Sequence, residues 1–289
     1  MNSITRSDQV AFEERYLRGL ARGLAGALLF SLPMLMTMEM WHLGFSIPKG
    51  RLLLLLLVNL PLLVLLSHRI GFERTITWRD SARDAVVAYA MGIVASAFIL
   101  ILLGVITFDM PPRQWVSMVG IQAVPASIGA LLGRSQLSMA EPDDEDDDAD
   151  RSSPGDDNTA GYATELFMMA VGALFLSLNL APTEEVILIA YKLTHWHALA
   201  LICVSLIIMH GFVYAVAFRG SHQAGPEDGG WKAFLHFTVP GYAVALMVSL
   251  YSMWTLQSID DLASIEILLG VIVLAFPAAI GAAAARLIL

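Results

Sequence analysis

Cysteine is almost absent: Cys203 is the only one in the chain, so no intrachain disulfide can form and no thiolate metal cluster is available. Charge is scarce as well. Asp, Glu, Lys and Arg make up 15% of the residues against 57% hydrophobic ones, and a mean hydropathy of +0.67 leaves too little polar surface to cover a water-soluble domain. The chain has no G-x-S-x-G elbow, no H-E-x-x-H, no P-loop and no dinucleotide fingerprint, which removes the usual grounds for expecting an enzyme or a cofactor. Nor does a basic excess point to nucleic acid. The opening "MNSITRSDQVAFEERYLRGLARG" mixes charges where a signal peptide would have a short apolar core and a small-residue cleavage site. The first span is therefore expected to be an uncleaved anchor.

What the chain does have is long apolar runs. Eight are read, at approximately 22–44, 52–67, 85–107, 115–133, 162–181, 198–218, 233–254 and 264–284, each close to the length that a helix needs to cross about 30 Å of hydrocarbon. An all-α polytopic membrane protein with the lipid bilayer as its first partner follows. With the N-terminus inside, thirteen Lys and Arg residues fall on the cytoplasmic side and four (Lys49, Arg51, Arg113 and Lys192) outside. That asymmetry predicts both termini in the cytoplasm of a cell inner membrane.

The net charge of −9 is not spread over the surface. Ten acids and one arginine lie between Glu141 and Asp157, and the remaining 16 acids and 16 bases balance. A like-charged block rich in Pro, Ser and Gly cannot bury enough apolar surface to offset its ordering entropy. The expected organisation is a cytoplasmic N-terminal segment over 1–21, a first four-helix repeat over 22–137, an acidic disordered linker over 138–160 and a second four-helix repeat over 161–289.

The repeat is visible in the residues. "GALLFSLPMLMTMEMW" from Gly26 aligns without a gap on "GALFLSLNLAPTEEVI" from Gly172, matching Ser31 with Ser177, Thr37 with Thr183 and Glu39 with Glu185. Trp78, Tyr89 and Ser96 match Trp231, Tyr242 and Ser249, and "PASIGALLGR" from Pro125 meets "PAAIGAAAAR" from Pro277. An even number of crossings returns each half to its starting side, so the two repeats should share one orientation.

Acids inside apolar segments are costly and usually face protein or water. Glu39 and Glu185 stand at matching positions near Pro33 and Pro182, where helices are expected to break, with Thr183 as an N-cap. Breaks at corresponding places in two halves point to an ion or substrate site. Carboxylates from Glu39 and Glu185, with Thr37, Thr183, Glu184 and freed carbonyls, form an oxygen set suited to a hard cation or a shared proton. On a straight helix Glu39 falls in the outer third of the bilayer, where it could also serve headgroups or a helix dipole. Tyr89 and Ser96, like Tyr242 and Ser249, lie two turns apart on one face and could line a pathway or bond between helices.

Other features have plainer readings. "HWH" at 195–197 is expected in an interfacial loop, His210 as a hydrogen-bonded core residue and Cys203 as a buried one. Gly129 with Gly133, and Gly281 with Ala285, should allow close helix approach between halves or between protomers of a homo-oligomer.

"TMEMW" resembles the Thr-x-Glu-x-Trp selectivity-filter stretch of voltage-gated sodium and calcium channels over five residues, although Ile187 stands at the tryptophan position of the second repeat and no voltage-sensor helix occurs. With "RGLAGALLFSLPMLMTMEMWHLGF" and "GALFLSLNLAPTEEV" together, the sequence resembles an uncharacterised family of bacterial integral membrane proteins known by a domain-of-unknown-function label. The resemblance brings no activity with it. The functional expectation is a cation channel or carrier; the alternative is a non-transporting scaffold or sensor that engages a partner through its acidic linker.

Overall fold

Where no water reaches the backbone, a spanning segment must satisfy its own N–H and C=O groups, and a helix does this within one segment. A computed structural model describes residues 6–70, 77–107, 109–138, 158–217 and 234–288, and the described residues form helices and short connections without strands. They are α1 Arg6–Leu35, α2 Met38–Ser46, α3 Lys49–Ile70, α4 Trp78–Leu102, α5 Pro112–Ser138, α6 Asn158–Leu180, α7 Glu184–Lys192, α8 His195–Ala217, α9 Val239–Thr255 and α10 Ser264–Ile288, with a π-helical turn Phe234–Thr238 leading into α9. Among the described residues seven helices are long and apolar enough to cross a membrane, or up to eight if the bent pair α1–α2 is counted as one span. The chain is a polytopic all-α membrane protein. Most of the acidic segment, and Trp231, lie outside the described residues.

The chain divides into two compact units, Met1–Asp150 and Arg151–Leu289. Each runs as a long helix, a break, a nine-residue helix and three further long helices. In the first unit α5 packs against α1, α2, α3 and α4; in the second α10 packs against α6, α7, α8 and α9. The last helix of each unit is thus its hub. Apolar side chains such as Leu57, Val94 and Ile207 remain exposed, as expected for faces turned to lipid rather than water.

Helix ends follow local chemistry. Thr77 caps α4, accepting a hydrogen bond from the Asp80 N–H and donating its hydroxyl to the Asp80 carboxylate at 2.6 Å. The Glu266 carboxylate reaches back to the Ala263 N–H at 3.0 Å at the start of α10, half of a capping box.

Three expectations are corrected. The small-residue pattern joins helices within a unit: a Cβ on Gly26 would collide with the carbonyl oxygen of Gly129 and the Cα of Gly133, and one on Gly172 with the Gly281 carbonyl and the Ala285 side chain. Backbones that approach this closely gain dispersion contacts that side chains would block. Cys203 is exposed on α8; its helix is apolar all round, so hydrophobicity alone does not say which side faces the core. The "HWH" stretch opens α8 instead of forming a loop, with the Thr194 hydroxyl 2.7 Å from the His197 Nδ1. His210 is hydrogen-bonded as expected, its Nδ1 3.0 Å from the Thr238 hydroxyl, but it is half-buried rather than in the core.

Candidate functional site

The first span is not one straight helix. Pro33 stays inside α1, and the chain turns three residues later, so that α2 leaves α1 at 83°. Glu39 therefore lies at roughly the depth reached by the end of α1, about 20 Å from Arg22 at 1.5 Å per residue. It sits in the first turn of α2, as Glu184 and Glu185 sit in the first turn of α7. Glu39 is half-buried, whereas Glu184 and Glu185 are exposed. Among the described residues none of the three is held by a hydrogen bond or an ion pair. In this they differ from Asp80 and Glu266, which bond to their own helix ends.

Thr37 and Thr183 occupy the N-cap positions with extended backbone, yet neither side chain caps its helix. Each hydroxyl turns back and donates to the carbonyl three residues earlier, Thr37 to Met34 at 2.9 Å and Thr183 to Leu180 at 2.8 Å. Their backbone N–H groups donate to the same two carbonyls. The first-turn N–H groups of α2 and α7 therefore receive no bond from these two hydroxyls.

The carbonyls released by the breaks are also engaged. In the first unit the Gln122 side-chain amide donates to the Met34 carbonyl at 3.1 Å, and the Trp41 indole to the Leu35 carbonyl at 2.7 Å. In the second, Ser258 donates to the Ala181 carbonyl, the counterpart of Leu35, at 2.6 Å. Leu274 and Ile187 stand where the first unit has Gln122 and Trp41. An ion at either break would thus find carboxylate oxygens and the unused lone pairs of the threonine hydroxyls, with these carbonyls already engaged.

The remaining candidates divide. Ser249 is buried, its hydroxyl 3.5 Å from that of Ser177; Ser96 is buried and its hydroxyl has no partner among the described residues. Tyr89 is half-buried and Tyr242 is buried. Within its own unit and among the described residues, none of these four is hydrogen-bonded to the carboxylate of Glu39, Glu184 or Glu185. No group of three His, Cys, Asp or Glu side chains among the described residues is arranged to hold a metal ion. An open groove of about 370 Å³ in the second unit is lined by Met247, Leu250, Tyr251, Trp254 and Ile259 and contains no acid.

Sequence reasoning missed Gln122, Trp41 and Ser258 as the donors that hold the breaks. A buried glutamine in an apolar helix was the one signal present for any of them. No curated protein and no solved structure matches this chain. The model of the family described as "Putative integral membrane protein (DUF2391)" matches residues 19–289, and the chain belongs to that family.

Proposed function

We propose that this membrane protein is a cation channel or carrier in which an inorganic cation or a proton passes the carboxylates of Glu39 and Glu185, with Thr37, Thr183 and Glu184 in support. The observation that carries this reading is the recurrence, in both units, of an acid in the first turn of a short helix behind a break, left unbonded where other first-turn acids cap their helices. A capping role alone would be served by the mutual bonding seen at Thr77 and Asp80. A carboxylate kept without a protein partner retains its lone pairs for a cation.

In the same proposal Tyr89, Ser96, Tyr242 and Ser249 stand further along the pathway, the protein acts without a cofactor and is no enzyme, and copies of it associate in the bilayer. With both termini cytoplasmic in the inner membrane, the two acids lie toward the outer face. Purified protein in liposomes, under separate Na⁺, K⁺, Ca²⁺ and proton gradients, should pass at least one of these ions. Shortening the acids in Glu39→Asp/Glu185→Asp should keep flux and alter the preference among ions. Absence of flux for every ion would overturn the proposal.

A further inference from the structure

The break in the first unit carries a polar group that the break in the second does without. The Met34 carbonyl is met by three donors: the Thr37 N–H at 3.2 Å, the Thr37 hydroxyl at 2.9 Å and the Gln122 side-chain amide of α5 at 3.1 Å. A carbonyl oxygen has two lone pairs, so two donors are enough. At the second break the Leu180 carbonyl is met by the N–H of Thr183 at 3.0 Å and its hydroxyl at 2.8 Å, and Leu274 stands where the first unit has Gln122. Covering a carbonyl therefore does not account for Gln122.

The far end of that side chain opposes folding. Gln122 is 1% exposed, and its Oε1 has no hydrogen-bond partner among the described residues; a buried acceptor left unmatched is unfavourable, and the leucine of the second unit avoids it. Which end of the amide faces Met34 is decided by chemistry, because a carbonyl only accepts: the nitrogen faces it and Oε1 is bonded to the same carbon, beside the break. Gln122 and Thr37 thus converge on one oxygen, where α1 ends and α2 begins. There α2 also lies tight on α5, since a Cβ on Gly44 would collide with Met118, one turn of α5 from Gln122. The acids differ in the same sense: Glu39 is half-buried, whereas Glu184 and Glu185 are exposed.

We propose that the first break is the ion-selective one and that Gln122 is a specificity-determining residue there, its Oε1 and the Thr37 hydroxyl replacing water on a monovalent metal cation while Glu39 supplies the charge. This rests on the channel-or-carrier reading and names its substrate class. One carboxylate with neutral oxygens balances a single positive charge, whereas a divalent ion draws more carboxylates. A carboxamide does not titrate, so it is a poor link in a proton relay and a good substitute for a hydration water.

The test is ion preference, measured as the ratio of fluxes under equal gradients in liposomes that contain the full chain. The wild type should pass Na⁺ or K⁺ in preference to Ca²⁺ and protons. Gln122→Leu installs the residue with which the second unit closes its own break, and Gln122→Asn keeps the amide but draws it back by one methylene, so both should fold. Each should change the ratio of Na⁺ to K⁺ flux by about threefold or more. Ser258→Ala, which uncovers a break carbonyl without removing a ligand oxygen, should lower stability and keep the wild-type ratio. An unchanged ratio in both Gln122 variants, as a buried water on Oε1 would give, an equal change in Ser258→Ala, or a wild type that passes only protons or Ca²⁺, overturns this inference and leaves the channel-or-carrier reading standing. Absence of flux for every ion in the wild type overturns both.

Discussion

At the scale of single residues, the two breaks show one physical problem met twice with different side chains. A helix that stops inside a membrane protein exposes carbonyls that water cannot satisfy, and an unpaired buried carbonyl costs about 1–3 kcal/mol. Trp41 covers Leu35 in the first unit, and Ser258 covers the equivalent Ala181 in the second. Trp41→Phe should therefore lower stability by about 1–3 kcal/mol, because it keeps the ring and removes only the N–H. Ser258→Ala should cost a similar amount. Chemical unfolding of each variant in detergent measures both; wild-type stability in both would mean that these carbonyls find other donors. Such donors are hard to read in a sequence: Gln122 lies 88 residues from Met34 and Ser258 lies 77 from Ala181, and neither separation has a period.

Among elements, the close pairing of the first and last helices organises each unit. Gly26 leaves no room for a Cβ against Gly129 and Gly133, whereas a Cβ on Gly211 would meet nothing within 4 Å. Gly26→Ala should destabilise the fold by about 1–3 kcal/mol through overpacking. Gly211→Ala should leave it unchanged or raise it by up to about 1 kcal/mol through helix propensity. Thermal unfolding of the pair reads the difference, and equal behaviour would remove the close-approach account. Much at this scale was legible beforehand. Span length is imposed by the bilayer, so apolar runs located the crossings, and the gapless match of Gly26–Trp41 to Gly172–Ile187 located the repeat. The partner of the small-residue face was not legible, since such a face fits any close neighbour and only packing shows that it serves within the unit. The break falls later than the proline suggests: Pro33 removes one N–H yet remains inside α1, and the chain turns only at Met36 and Thr37.

For the molecule as a whole, orientation and transport are the quantities that matter. The Lys and Arg asymmetry predicts that the 138–160 segment is cytoplasmic and the end of α2 external. In a Cys203→Ala background, an impermeant thiol reagent should label Ser46→Cys in intact cells and Ser152→Cys only after permeabilisation; the reverse pattern would invert the topology. The carboxylate pair was legible because an acid in an apolar run stands out and recurs, while its lack of capping bonds emerged only in three dimensions. The most direct test of the transport proposal is flux in proteoliposomes for wild type and an equally folded Glu39→Gln/Glu185→Gln protein, under the ion gradient that the wild type dissipates. Loss of at least about tenfold in flux, equivalent to about 1.4 kcal/mol at the limiting step, is predicted. Undiminished flux in the double variant would contradict the account and remove both acids from the pathway.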